Sequence, residues 1–275
     1  MRAVFRYPGA KWGLSEWIIE HFPEDYEKLV YLEPFLGSGA VFFNKLPGAV
    51  ETINDLDGDI YNLFWVLRER PEELKQKIKL TPYSREEYDN SFLPASEPVE
   101  KARRFMVRTT QAIGAKMDGK CGWRNHKQKK IGGTPCKWAG IADNIDIASK
   151  RLLGDTTHLV QIERTDALKL IEKYNNPEVL MYLDPPYLRD TRHSNRLYQH
   201  ELSDDAHKRL LQLIIESKAK IVLSGYDSEL YSQALKGWYK FTTETRTTSS
   251  EVVVECIWTN YEPPCKQITF FEESE

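Results

Sequence analysis

Leu180-Met181-Tyr182-Leu183-Asp184-Pro185-Pro186-Tyr187 is the stretch from which the rest of the chain is read. Its first four residues are an apolar run of strand length, the pattern of a strand covered on both faces of a sheet. Two prolines then remove N–H donors and fix the backbone, which ends the run and holds Asp184 extended. Ligands of open α/β sheets bind at the carboxyl ends of the strands. An acid there predicts a site rather than a plain turn. Glu262-Pro263-Pro264-Cys265 serves as an internal control. It repeats the acid-Pro-Pro triplet without the aromatic, near the C-terminus, and reads as a strand terminator.

Working outward, further short apolar runs predict strands at Val30–Glu33, Glu51–Asn54, His158–Ile162, Val179–Leu183 and Lys220–Ser224. Two more, near Tyr239–Arg246 and Val252–Thr259, read as an antiparallel pair. Helical patterns fall at Ser15–His21, Ala40–Lys45, Ile60–Arg68 and Asp204–Ser217. The last follows Ser203, a good N-cap, and aligns Leu210, Leu211, Ile214 and Ile215 on one stripe. Alternation of this kind predicts an α/β fold around a largely parallel sheet. Between residues about 80 and 155 it fails. That segment, with Gly132-Gly133 and Thr134-Pro135, reads as an insertion of short helices and long loops.

Glu33-Pro34-Phe35-Leu36-Gly37-Ser38-Gly39 follows a strand and precedes the helical run Ala40-Val41-Phe42-Phe43. Glycines at such a turn let the backbone approach a ligand, with helix N–H groups aimed at it. Alone, a plain tight turn is an equally good reading. Asp55 ends the next strand 18 residues beyond Gly37. That is where nucleoside-binding α/β folds place an acceptor for ribose hydroxyls. The alternative is that Asp55 or Asp57 caps the following helix. Arg6-Tyr7-Pro8-Gly9-Ala10-Lys11 combines an aromatic, a turn and a lysine ahead of a helix, a set able to grip a carboxylate and stack on an apolar arm.

The 275 residues suffice for a full core, and 41% hydrophobic with 29% charged residues is ordinary for a globular chain. No apolar run approaches the ~20 residues that span a bilayer. The opening Met1-Arg2-Ala3-Val4-Phe5-Arg6-Tyr7-Pro8 is too soon interrupted for a secretory signal. Four cysteines are too few for a disulfide framework, so a reducing cytoplasmic setting is expected. Cys121, His126 and Cys136 match no common zinc spacing, and no metal is expected. Net charge is −3, yet residues 101–151 hold 13 Lys or Arg against Asp118, Asp143 and Asp146, about +10. Such asymmetry points to nucleic acid, with a solvated basic face as the bland alternative. Trp123 and Trp138 lie in the same stretch, and Arg189-Asp190-Thr191-Arg192-His193-Ser194-Asn195-Arg196 forms a second basic segment after the acidic turn.

In this order the motifs resemble the D12 class of N6-adenine DNA methyltransferases. The likeness runs over nearly the whole chain, and Asp184-Pro185-Pro186-Tyr187 is its most specific signal. It implies a Rossmann-like, S-adenosylmethionine-dependent methyltransferase sheet, mostly parallel with an antiparallel C-terminal strand. It also implies a catalytic domain of residues 1–80 and 155–275 and a small, largely helical target-recognition domain at 81–154. Tyr7, Gly9 and Lys11 would then meet the methionine part of the cofactor. Glu33, Pro34, Phe35, Gly37 and Gly39 would wrap it, with Asp184 closing the same site. Asp55 would hold its ribose, and Asp166 would accept from its adenine unless it merely caps a helix.

An exocyclic amine is a poor nucleophile because its lone pair is delocalised into the ring. Hydrogen bonds accepted by Asp184 and the Pro185 carbonyl would draw it towards tetrahedral geometry, with Pro186 fixing the turn and Tyr187 stacking on a flipped base. Arg103, Arg104, Arg124, Lys127, Lys129 and Lys130, with Arg189, Arg192 and Arg196, are the expected phosphate contacts. The expected partner is double-stranded DNA, met by a monomer within or outside a restriction-modification pair. An RNA adenine or cytosine-N4 methyltransferase, or an inactive nucleic-acid-binding relative, remains an alternative on residues alone. An initial Asp leans towards adenine.

Overall fold

The computed structural model describes residues 3–113, 119–126, 138–187, 202–246 and 252–264. Within them the strands are β1 (Val30–Glu33), β2 (Val50–Asn54), β3 (Leu159–Glu163), β4 (Val179–Leu183), β5 (Lys220–Gly225), β6 (Tyr239–Arg246) and β7 (Val252–Thr259). They form one sheet in the order β3-β2-β1-β4-β5-β7-β6. β1 to β5 pair in parallel, and β7 runs antiparallel between β5 and β6. The chain leaves β1 towards β2 on one side, while β4 lies on the other, so a crevice opens between the carboxyl ends of β1 and β4.

The period-2 alternation of the central strands sorts the core into two layers. Leu180 and Tyr182 of β4 face one layer with Tyr31, Ile53, Val222 and Ile257. Val179, Met181 and Leu183 face the other with Leu32, Ile221, Leu223 and Trp258. Being covered on both sides, β4 is buried throughout, which is why its sequence reads as a continuous apolar run. Helices α1 (Ser15–Glu20), α2 (Ala40–Asn44) and α3 (Gly58–Glu69) pack into the first layer. Three further helices follow, α4 (Pro71–Leu80), α5 (Arg85–Asn90) and α6 (Pro98–Thr110); α4 and α6 pack on α3, and α5 packs on α6. The described remainder comprises α7 (Ile141–Leu153), α8 (Ala167–Lys173), α9 (Asp204–Ile215) and α10 (Glu229–Ala234), the last three bordering the second layer. Among the described residues no helix is long and apolar enough to cross a membrane.

One feature bears on the expected layout. α6 and α7 lie inside the segment expected to form a separate insertion, yet Val99, Ala102, Phe105 and Met106 of α6 and Ile145, Ala148 and Leu152 of α7 share one core with the sheet. The expected boundary at 81 therefore runs through continuous packing. Glu97 starts α6 by accepting the N–H groups of Val99 and Glu100, with Pro98 at the first helical position.

α7 is also tied to the sheet by charge. Glu51 of β2 is fully buried and accepts from Arg151 of α7 at 2.9 Å, while His158 Nε2 lies 2.5 Å from its other oxygen and Lys45 closes the cluster. Burial pushes the Glu51 carboxyl up, but Arg151 and Lys45 outweigh it and hold the group below the ordinary range.

Candidate active site

The glycine turn after β1 is held on three sides. Gly39 N–H closes it on the Leu36 carbonyl at 2.8 Å, and Leu36 N–H reaches the Asn54 carbonyl at 2.9 Å. Gly37 and Gly39 have φ of 51° and 67°, left-handed values that L side chains rarely adopt. A Cβ on Gly37 would also stand 2.7 Å from the Tyr7 ring. Trp12 adds a bond from its indole N–H to Ser38 Oγ at 3.0 Å, which fastens the Arg6–Lys11 segment to the turn. Gly37→Ala is therefore expected to weaken cofactor binding about tenfold or more, because a left-handed alanine costs ~1–2 kcal/mol and the turn must shift to relieve it. Titration calorimetry with S-adenosylmethionine reads the change.

Asn54, at the strand end before Asp55, has no role assigned from the sequence. It is 1% exposed; its amide donates to the Pro34 carbonyl at 2.9 Å and the Thr165 carbonyl at 3.1 Å and accepts from Thr165 N–H. One side chain thus latches the loops after β1, β2 and β3 together. Its neighbour Asp55 accepts Gly37 N–H and Asp57 N–H, each at 2.9 Å, so it braces the turn while facing the cleft. Helix capping falls to Asp57, which starts α3. Asp166 caps α8 through Leu168 N–H, the alternative expected of it, and also lines the cleft.

Tyr7, Gly9, Lys11, Glu33, Pro34, Phe35, Gly37, Asp55, Asp166, Asp184 and Pro186 all line one cleft at the crevice between β1 and β4. Gly39, Pro185 and Tyr187 are not among its lining residues, although Tyr187 touches Lys11 from behind. Lys11 Nζ lies 2.9 and 3.0 Å from the two oxygens of Asp184. It also donates to the Tyr187 hydroxyl, which in turn donates to Glu255 at 2.9 Å. The Tyr187 ring stacks on Tyr226, centroids 4.2 Å apart. Neither Glu255 nor Tyr226 belongs to any motif of the sequence.

Three acids of this cleft have raised pKa values, burial being the largest cause for each. Glu33 is pushed up to about 8, against the partial opposition of the Tyr31 hydroxyl 2.6 Å away. Asp55 is pushed up to about 7 despite its two backbone donors. Asp184 is pushed up to about 6, with Lys11 opposing the rise and Glu255 adding to it. Clustered acids titrating near neutrality are a mark of a working site.

The expected phosphate contacts fare differently. Arg103 is turned inward, donating to Glu100 and Glu87 at 2.7 Å and to Thr81. Arg104 pairs with Glu100 and the Leu93 and Pro94 carbonyls. Guanidiniums so engaged brace α6 and have little left for a phosphate. Arg124 is half-buried and donates to the Ala112 carbonyl. Lys127, Lys129, Lys130, Arg189, Arg192 and Arg196 lie outside the described residues. Trp138 is core, bonded to the Thr81 carbonyl, whereas Trp123 sits half-buried against Tyr83 and Arg85. Cys136 is also outside the described residues, among which no three His, Cys, Asp or Glu are grouped to hold a metal ion.

A left-handed glycine turn, acids at the ends of the next two parallel strands and an acid-Pro-Pro-aromatic turn, all on one crevice, define an S-adenosylmethionine-dependent amino methyltransferase. The donor set suits that cofactor: carboxylates for its hydroxyls and amines, and a backbone cradle that a Cβ would fill. Residues 7–250 match the model of the D12 class N6 adenine-specific DNA methyltransferases, and the chain belongs to that family. It is similar to the Type II methyltransferase M1.LlaDCHI of Lactococcus lactis subsp. cremoris, 25% identical over 285 residues that cover 95% of this chain and 96% of that protein. A 74-residue segment, 26% of this chain, is 36% identical to the DNA N-6-adenine-methyltransferase of Escherichia phage P1 and covers 9% of that protein. Among solved structures, the rRNA methyltransferase aviRa of Streptomyces viridochromogenes aligns over 92% of this chain and 85% of its own, with TM-score 0.41 and 13% identity.

Proposed function

We propose that this chain methylates N6 of adenine in double-stranded DNA, acting on a base extruded from the helix. The observation that carries the reading is the placing of the Asp184 carboxylate in the same cleft as the glycine turn. Asp55 would accept from the ribose hydroxyls, Asp166 from the adenine amine, and Tyr7 would close over the methionine arm. When bound, S-adenosylmethionine supplies a methyl group on a positively charged sulfur that departs as a neutral thioether. Asp184 and the Pro185 carbonyl accept the N6 hydrogens of the target and free its lone pair. As the N–C bond forms, the nitrogen sheds one proton, which the Asp184 carboxylate takes. Catalysis of this kind rests on positioning and preorganised charge.

The phosphate backbone would be held by Arg124 with Lys127, Lys129 and Lys130, and by Arg189, Arg192 and Arg196 after the acidic turn. The segment between α6 and α7 would carry target recognition. On the same proposal the chain acts as a monomer. The free thiols Cys121 and Cys256 suit a reducing cytoplasm.

The proton acceptor must be ionised to work, so its raised pKa sets the acid limb of the rate. Methyl transfer should rise with pH and level off above a midpoint near 6, the value to which burial lifts Asp184. Single-turnover rates between pH 5 and 8 check this; a rate already level at pH 5 would deny Asp184 the role. Direct reading of modified bases in DNA from cells expressing the protein, with Asp184→Asn as control, tests the function itself. N6-methyladenine recurring in one sequence context is the expected result.

A further inference from the structure

Glu255 sits on β7, outside every motif, as a charged residue in the run Val252-Val253-Val254-Glu255-Cys256-Ile257-Trp258. It is 3% exposed, and a carboxylate so buried needs a reason to be there. Its Oε1 accepts the Tyr187 hydroxyl at 2.9 Å and lies 3.3 Å from Lys11 Nζ. Lys11 is at the same time bonded to both oxygens of Asp184. One ammonium thus stands between two carboxylates, with the phenol of the acidic turn touching the ammonium and the outer carboxylate.

That arrangement poses a problem for the reaction and contains its solution. An Asp184 with both oxygens on Lys11 has less to offer an incoming amine. The nitrogen also gains positive charge as it attacks, which an ammonium alongside opposes and a net negative site favours. Lys11, Asp184 and Glu255 together carry a net −1 when all are ionised, whereas Lys11 and Asp184 alone would be neutral.

Resting on the function proposed above, we propose that Glu255 is a positioning residue: it draws the Lys11 ammonium aside and anchors the Tyr187 hydroxyl, leaving Asp184 free to accept from the target amine. Lys11 then shifts between two partners that both already lie within 3.3 Å of its ammonium, and Tyr187 keeps its ring presented to the base.

The test is Glu255→Gln in the full chain. Single-turnover methylation of genomic DNA from a host without adenine methylation is followed across pH, with calorimetry for S-adenosylmethionine and thermal melting alongside. Among the described residues, the charged and titratable groups facing Asp184 are Lys11, Glu255, Glu33 and the Tyr182, Tyr187 and Tyr231 hydroxyls. Removing the Glu255 charge should slow transfer by about 10- to 100-fold, less than the roughly 10²- to 10⁴-fold of a lost proton acceptor because Glu255 acts only through Lys11 and Tyr187. It should also move the acid limb to lower pH, because Lys11 is no longer shared, while cofactor affinity holds. An unchanged rate overturns the role. So does a slower rate whose acid limb has not moved, since that marks a residue that only supports the strand. Glu255→Asp, which keeps the charge but shortens the reach, serves if the amide variant does not fold. A several-fold slower rate with its acid limb moved to lower pH supports the role, and a wild-type rate, or a slower rate with the limb unmoved, overturns it. Wild-type protein that binds cofactor yet leaves this DNA unmethylated is a different result, defeating the reading of the site and the role with it.

Discussion

Asp184→Asn should lower the rate of methyl transfer by about 10²- to 10⁴-fold, the span that a positioned proton acceptor contributes. Asparagine keeps the shape of the side chain and one acceptor oxygen, so the turn and the pose of the base survive. What it loses is the capacity to take the proton that N6 sheds and the charge that favours a positive nitrogen. Lys11, 3.3 Å from Glu255, retains an ionic partner, which spares the variant an unpaired buried cation. Cofactor binding rests on Gly37, Asp55 and Asp166 and should persist. The expected signature is a lower kcat with little change in the affinity for S-adenosylmethionine, measured by rapid quench and calorimetry. Near-full activity in Asp184→Asn would remove the carboxylate from the chemistry.

The second large effect concerns stability, far from the cleft. Glu51→Gln removes the one carboxylate that Lys45, Arg151 and His158 share. Breaking a buried ion pair from one side costs ~3–5 kcal/mol, because the remaining charges stay desolvated and unpaired. For a chain of this size that corresponds to a fall in Tm of roughly 10 °C. The same group fixes the sign of the pH dependence. Its folded pKa is held below the unfolded one, so its contribution is present above the ordinary glutamate range and is lost as pH falls beneath it. Melting at pH 7 and pH 4 checks both points: the gap between wild type and Glu51→Gln should narrow at the lower pH. Since Arg151 belongs to α7, a cooperative single transition is expected, with that helix melting together with the sheet.

The sheet was largely legible because its strands are apolar runs cut off by Gly, Pro, Asn and Asp. Val179–Leu183 and Val252–Thr259 matched the strands residue for residue. Strand β3 begins one residue later than expected, at Leu159, because His158 closes a turn on Asp155. Helices α6 and α7 fall where short helices among long loops are expected, and each runs to 13 residues. Lys101, Arg103, Arg104 and Arg108 dilute the apolar stripe of α6, and the same residues inflated the apparent basic face. Their partners Glu87, Glu100 and Asp59 all lie upstream of the basic stretch 101–151. Net charge along a segment does not reveal which charges are already paired in space.

The site divides in the same way. Glycine turn, strand-end acids and acidic turn are local patterns, and the fold needed only to bring them together. Asn54 and Glu255 act across elements distant in sequence, which no local spacing encodes. Glu255 did leave one trace, an acid in an otherwise apolar strand. Glu51, a charge within β2, left the same trace. In both places the charge is buried against a cation brought in from elsewhere in the chain.

The central claim is that one chain, through the carboxylate beside its glycine cleft, moves a methyl group onto an adenine amine of DNA. Tritium transfer from labelled S-adenosylmethionine to sequence-matched duplex DNA and RNA, followed by nucleoside separation, addresses it most directly. The account predicts label in N6-methyldeoxyadenosine from the DNA, lost in Asp184→Asn. Label in N4-methyldeoxycytidine, label in the RNA alone, or none from protein that binds the cofactor would contradict it.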